Sequence, residues 1–482
     1  DEDEPDQYWY YFQANGKAYK GSDSGATTRF KTINGKKYAF DEDGKMLYGW
    51  VKDGERNTGD DDWEDAEYYL GDENDGAMKT GWQLINLTDE NWPDDNETFD
   101  EDQDRWFYFK SNGKRYYNDK PDAKEFVTKT INGKKYGFDE NGRMVAEWNV
   151  STTVGTQGEA SYTREWSYFA SPEDGARKTK GWFKVIPDED LDEDKYDDAE
   201  EHWYYADGKG KLYANEIKTI NGRKYAFDEY GRMMDGLRLI QFDGMSTKLI
   251  ADSWEDDEDP LYYFDTEDNL DATIENLMAL GMDDGASSYA FMYFGDEDDG
   301  AMKTGKQTIT IDGDKIDFEF NKNGSQKGQG RNEVDEPDKV VYAMGKKYKA
   351  DSDNKYEIVV EVAVNGTVEL SDGSKETING KYLRALSVQE YLNSFEGYNV
   401  GVDNKETDAD KSYYVGGSSK RVVPKNVVIS DEDADLKLTI KDTYVVNTSG
   451  SLVKKKNKCK DGDDYIIEVS GFEIQSIYED LD

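Results

Sequence analysis

Short runs in which apolar and polar residues alternate recur along the first two thirds of the chain, and each run stops at Asn-Gly or Asp-Gly. In Lys37-Tyr38-Ala39-Phe40 the side chains of Tyr38 and Phe40 fall on one face of an extended strand, because side chains alternate across a strand. The preceding Ile33-Asn34-Gly35-Lys36 suits a two-residue type I′ turn, which needs positive φ at both central residues. Asp41-Glu42-Asp43-Gly44 makes the next turn, with Gly44 free to adopt positive φ. In Trp9-Tyr10-Tyr11-Phe12 both faces are aromatic. An isolated hairpin is marginal in water, so two aromatic faces imply hairpins stacked on one another.

The pattern repeats. KTINGKKYAFDEDGKM begins at Lys31, KTINGKKYGFDENGRM at Lys129 and KTINGRKYAFDEYGRM at Lys218. A decayed copy begins at Thr308, and a remnant, TINGKYL, at Thr377. The turn residues Asn34, Asn132, Asn221 and Asp312 are separated by 98, 89 and 91 positions. Two further units run in step. One is WYYFQANGKAY at Trp9, with relatives at Trp106 and Trp203. The other is DGAMKTGW at Asp75, with relatives at Asp174 and Asp299. We read each unit as a hairpin and MKTGW as a closing element. A super-repeat of about 90 to 100 residues follows. Between the units lie acidic inserts, at 53–75, 89–104, 188–201 and 252–268, expected as loops on one side of the array. Helical patterning is weak, at 273–280 and 387–395.

Beyond about residue 330 the pattern changes to aliphatic, β-branched strands, at 356–362, 436–446 and 465–469. Thr443 to Gly450 still echoes the aromatic unit. The expected architecture is all-β. Residues 1–330 form an elongated solenoid of stacked aromatic hairpins with acidic inserts. Residues 331–482 form a smaller all-β domain with degenerate repeat features.

Composition narrows the function. Of 482 residues, 35% are hydrophobic, yet 35 are Tyr and 11 are Trp. Thin layers, each roofed by large rings, suit such a chain better than one thick core. The formal net charge of −46 excludes nucleic acid as a partner, since a phosphate backbone demands basic patches. It also keeps an exported protein dispersed. No apolar run reaches the roughly 20 residues of a membrane span, so no membrane insertion is expected. Cys459 is the one cysteine and His202 the one histidine, which excludes a Cys/His zinc site. His202 is expected on the surface at a strand start. The chain opens at Asp1 without a signal peptide, as a mature or trimmed product would.

The INGKKYxFD strings with their following Asn-Gly or Asp-Gly, the WYYF strand and the MKTGW element together resemble the cell-wall-binding repeat superfamily. Its members include choline-binding repeats, the glucan-binding repeats of glucansucrases and the C-terminal repeats of clostridial toxins. The resemblance covers residues 8 to about 330. It implies a non-catalytic, secreted protein of the bacterial cell surface or cell wall. The partners would be a cell-wall polymer or another polysaccharide, held in grooves between hairpins. In choline-binding members a cage of aromatics holds a quaternary ammonium by cation–π attraction. The matching residues here are Trp50, Trp82, Trp148 and Trp182, with Trp9, Trp106, Trp203, Tyr11, Tyr108 and Tyr205 completing the cages. The Gly-Trp element becomes Gly236-Leu237 and Gly305-Lys306 elsewhere, so the grooves are not equivalent. Two alternatives stand beside this reading. One is a surface protein that self-associates through the same repeats. The other is the anchoring part of a cell-wall hydrolase whose catalytic domain lies elsewhere. The one cofactor expectation is Ca2+, at Asp265, Glu267, Asn269 and Asp271, which alternate as in a calcium loop. Looser acidic turns occur around Gly300 and Gly462.

Overall fold

The computed structural model describes residues 7–21, 23, 25–58, 62–87, 103–242, 249–252, 262–281, 288–335, 340–369, 375–393, 401–402, 405–406, 427–430 and 436–479. The chain divides into two compact units. One comprises 1–214 with 229–232, and the other 215–228 with 233–482. Both are built mainly of small antiparallel sheets, many of them two-stranded.

In the first unit the hairpins follow one another along the chain. Phe30–Ile33 pairs with Lys36–Ala39 through a tight turn. Trp50–Lys52 pairs with Tyr68–Tyr69, and Gly81–Leu87 with Gln103–Phe109, across long insertions. The series then repeats. Val127–Ile131 and Lys134–Phe138 are tightly joined, whereas Trp148–Val150/Trp166–Tyr168 and Gly181–Val185/His202–Ala206 carry insertions. The second unit begins with another tight pair, Glu216–Ile220 and Arg223–Phe227. A super-repeat is therefore three hairpins, one tight and two inserted.

The tight turns take the expected conformation. Asn34 and Gly35 have φ of 49° and 83°, Asn132 and Gly133 50° and 83°, Asn221 and Gly222 50° and 82°. The degenerate copy keeps it, with Asp312 at 45° and Gly313 at 87°. Positive φ at both positions is the type I′ signature, and its twist matches that of the flanking strands.

Two units of the super-repeat are paired differently from the sequence reading. WFYF is not a hairpin by itself. It is the second strand of a hairpin whose first strand is the Gly-Trp segment, with Trp82 opposite Tyr108 and Trp182 opposite Tyr205. MKTGW therefore opens a hairpin rather than closing one. The Gly-rich turn after the second strand folds back to make a single bridge, as in Phe40 to Met46 and Phe138 to Met144. The Asp41 carboxylate caps that turn by accepting the N–H groups of Asp43 and Lys45 at 3.0 and 2.7 Å.

These return turns also join neighbouring hairpins. The N–H of Met78 donates to the carbonyl of Lys37 at 2.9 Å, and that of Met144 to Trp106 at 2.8 Å. Arg177 donates to Lys135 at 2.8 Å, and in the second unit Met302 donates to Lys224 at 2.8 Å. The next hairpin's Asp clasps the tight turn by charge, in Lys36–Asp75 (3.3 Å) and Lys134–Asp174 (3.1 Å). The second unit has the same clasp in Arg223–Asp299 (3.4 Å). The two motifs GKM/GRM and DGA are coupled by packing as well. A Cβ on Gly76, Gly175 or Gly300 would collide with the thioether of Met46, Met144 or Met233 respectively.

The second unit also carries the aliphatic strands. Tyr356–Glu369 lies between Lys375–Leu386 and Leu436–Asn447. The remnant TINGKYL does not turn. Asn379 and Gly380 sit within the strand Lys375–Leu386, paired with Asn365 and Val364. Gly380 is needed for a different reason, because a Cβ there would strike the carbonyl of Ala279 at the end of helix Glu267–Ala279. That helix arises in the insertion between Leu237–Phe242 and Tyr289–Tyr293. Its buried face presents Leu270, Ile274 and Leu277 to the core. The echo at 443–450 is real in three dimensions. Val446 bridges Leu452, and Asn447 caps the turn by accepting from Ser449 and Ser451.

Candidate functional site

The Gly-Trp strand and the WxYx strand place their rings on the same face, because opposite residues of an antiparallel pair point the same way. Trp82 thus meets Tyr108, its cross-strand partner, at 5.4 Å between ring centroids, edge to face. Trp106, two residues along, lies at 6.1 Å from Trp82. The following tight hairpin adds Tyr136 at 4.8 Å and Phe138 at 5.6 Å. Phe138 is fully buried, whereas Trp82, Trp106, Tyr108 and Tyr136 are each only half-buried. One side of this group is wall and the other faces water.

The next super-repeat builds the same trio. Trp182 lies 5.1 Å from Tyr205 and 6.4 Å from Trp203, again edge to face. Tyr213 stacks on Tyr205 at 5.4 Å with planes 3° apart. Trp182, Trp203 and Tyr205 are half-buried like their counterparts. Of the residues proposed from the sequence, the structure therefore gathers Trp82 with Trp106 and Tyr108, and Trp182 with Trp203 and Tyr205.

Trp50 and Trp148 are half-buried too and pack on inserted rather than tight hairpins. Trp50 packs edge-on against Phe107 of the next hairpin at 5.2 Å and against its own partner Tyr69 at 5.0 Å. Trp148 does the same with Tyr204 (5.0 Å) and Tyr168 (5.1 Å), and its indole N–H donates to the Ile186 carbonyl at 2.7 Å. Both rings serve as joints between consecutive hairpins. Trp9 and Tyr11 belong to a WxYx segment that forms no strand and carries only the bridge Phe12 to Ala18, and Trp9 is 51% exposed. The aromatic residues that sequence reasoning passed over are Tyr136 and Tyr213. Alternation in KKYGF and the tyrosine ending KGKLY were the signals for them.

Cations already sit over these rings. The Lys129 ammonium lies 4.8 Å from the Tyr116 centroid and 5.6 Å from that of Tyr108. Lys31 stands 5.4 Å over Tyr19 one super-repeat earlier. Buried Arg115 lies 5.9 Å from Trp50 and donates to the Trp63 carbonyl at 2.8 Å. Burial pulls its pKa down to about 10, with Asp139 opposing that shift. The aromatic faces of this fold are thus electron-rich surfaces that hold positive charge.

The acidic segments are arranged otherwise than a calcium loop. Thr266 caps helix Glu267–Ala279 by accepting the Asn269 N–H, so Glu267, Asn269 and Asp271 lie on helical turns. Asn269 donates to the Asp265 carboxylate at 2.7 Å. Glu267 and Asp271 are drawn onto buried Lys346 at 2.8 and 2.6 Å. Helical geometry and Lys346 together displace the loop expected there. Asp296 and Asp461 cap turns, accepting backbone N–H groups of Asp299 and of Asp463 and Tyr465. Among the described residues no group of three or more His, Cys, Asp or Glu side chains is placed to hold a metal ion. His202 begins the strand His202–Ala206, as expected, but is half-buried rather than a surface residue, 4.0 Å from Glu200.

No protein-family description and no curated protein matches the chain. Several solved structures are similar to the chain. The modular autolysin LytC from Streptococcus pneumoniae is 15% identical over 77% of this chain, with a TM-score of 0.33. The matched region is 50% of that autolysin, so this chain corresponds to about half of its length. Choline binding protein F from Streptococcus pneumoniae is 18% identical over 67% of this chain and 99% of its own, with a TM-score of 0.26. CbpJ from Streptococcus pneumoniae TIGR4 is 17% identical over 74% of this chain and 99% of its own, with a TM-score of 0.28.

Proposed function

We propose that this chain is a non-catalytic binding protein of the bacterial cell surface, secreted and held on cell-wall or other glycans through its aromatic grooves. The observation that carries the reading is the recurrence of one half-open trio, Trp82/Trp106/Tyr108 and Trp182/Trp203/Tyr205. A flat, half-exposed ring offers a stacking surface to a sugar, and a group of them offers a cage to a quaternary ammonium. The cations over Tyr19 and Tyr116 show that rings in this scaffold accept positive charge.

Retention of the full chain on three matrices tests this. They are choline-bearing cell wall, the same wall stripped of choline, and a neutral α-glucan. Retention on the first or third, competed by soluble choline or by oligosaccharide respectively, supports the reading. Passage through all three would overturn it.

A further inference from the structure

The ion pairs that clasp the tight turns lie at the surface, with the Lys36 and Lys134 side chains 62% and 57% exposed. Lys346 differs from them, since its side chain is 4% exposed. It stands on the short strand Lys346–Lys347 opposite Phe318, with its ammonium 5.9 Å from the Tyr348 ring. Phe318 and Tyr348 share one apolar core with Leu270 and Ile274 of helix Glu267–Ala279. From that helix two carboxylates reach the ammonium, Asp271 at 2.6 Å and Glu267 at 2.8 Å. They lie four residues apart, so one helical face presents both. Arg384 holds the same helix through Glu275, at 2.8 and 2.9 Å from Nε. A buried amine is thus fixed against two carboxyl groups, one turn apart, on a helix that is anchored a turn further on.

We propose that Lys346 and Asp271 join covalently, by an amide bond between Nζ and the side-chain carboxyl carbon, with Glu267 carrying the proton. Asp271 is the partner because it is the nearer and the less exposed of the two acids, 34% against 43%. An amine at hydrogen-bond distance from a carboxyl oxygen is about 3.4 Å from its carbon, within near-attack range. Apolar surroundings disfavour the charged form of both groups, so one proton passes from the ammonium to Asp271 and leaves a neutral amine facing a neutral carboxyl. Partial burial raises the Asp271 carboxyl from its ordinary value, against the charge and hydrogen bond of Lys346. The amine lone pair then attacks the carboxyl carbon. The Glu267 carboxylate takes one proton from the nitrogen and returns it to the departing hydroxyl. The carbon–oxygen bond breaks, one water leaves, and Glu267 is a carboxylate again. Nothing is oxidised or reduced, and no other reactant is consumed. One positive and one negative charge disappear together, so the net charge is unchanged. The product ties the helix to the strand across 75 positions of sequence, a loop that unfolding cannot open.

The test is the mass of the purified full chain, unfolded in acid, followed by a tryptic map. The expected mass is about 18 Da below that of the sequence, the loss of one water. A succinimide at an Asp-Gly pair loses water too, so the map decides between them. It should hold a branched peptide that joins Lys346 to Asp271. Lys346→Arg and Asp271→Ala should each restore the full mass. Glu267→Gln should leave most of the chain unlinked while its circular dichroism matches the parent. The parent chain carries the result by itself, so a variant that fails to fold does not obscure it. A folded parent with the full sequence mass, a branch at Glu267 in place of Asp271, or a water loss mapped only to Asp-Gly would overturn the proposal.

Discussion

At the scale of single residues, the fold rests on positions where only one kind of side chain fits. Gly35 and Gly76 make the contrast clear. Gly35 has φ of 83° and open space around it, so Gly35→Ala should cost about 1 kcal/mol from backbone strain alone. Gly76 has φ of 56° and the Met46 thioether against it, so Gly76→Ala adds a collision and should cost more. Denaturant titration of the two variants checks the order, and equal losses would contradict the packing described. Asp75 offers a second test. Its hydrogen bond to Lys79, and then the charges of Lys79 and Lys36, hold its carboxyl below the usual value of 3.8. A depressed folded pKa means that its stabilisation is present above that value and disappears as pH falls through the lower, folded one. Asp75→Asn should therefore lower stability at neutral pH, and the deficit should close in acid. A deficit independent of pH would remove the ionic clasp from the account.

At the scale of elements, much was legible and some was not. The type I′ hairpins at Asn34, Asn132 and Asn221 could be read directly, because Asn-Gly between alternating strands leaves little choice of turn. Pairing beyond the turn was not. Gly81-Trp82 follows Met78 closely in sequence, yet the insertion at 88–102 hides that its partner is Trp106 to Phe109. Long insertions remove the local signal that joins two strands. The same holds for Asn379-Gly380, where the string for a turn is present but a fourteen-residue neighbour, Tyr356–Glu369, pairs straight through it. Helix Glu267–Ala279 was half visible, since its acidic first turn resembles a loop while Leu270, Ile274 and Leu277 keep helical spacing. It is fastened by Lys346 to Glu267 and Asp271 and by a bidentate pair between Arg384 and Glu275, at 2.8 and 2.9 Å from Nε. Lys346 is buried but its partners are partly exposed, so Lys346→Met should cost about 2 kcal/mol. Hydrogen exchange should show faster opening confined to 267–279 and the strands it covers. Unchanged protection there would mean that apolar packing alone holds the helix.

At the scale of the whole molecule, the chain that carries the half-buried aromatic trios has a formal charge of −46. The field should favour a cationic ligand and disfavour an anionic polymer. Retention on choline should then fall as salt rises from 0.05 to 0.5 M (about a threefold shorter Debye length), whereas retention on neutral glucan should not change. Equal salt dependence on both would show that the charge serves solubility and takes no part in binding. The central claim of the proposed function is narrower. It makes Trp82 and Trp182 ligand surfaces, whereas Trp63 and Trp166 are buried at 3% exposure and pack in the interior. A repeat array is coupled mainly between neighbours, so losing one half-open ring should leave the rest folded. The direct measurement is the affinity of the Trp82→Ala/Trp182→Ala chain for the retained ligand, beside its melting curve and that of Trp63→Ala. The account predicts an affinity loss of about 30-fold for the double variant, the scale of a truncated aromatic anchor, with a near-parental melting curve, and a lowered melting temperature for Trp63→Ala. A double variant that binds like the parent, or that melts as early as Trp63→Ala, would contradict it.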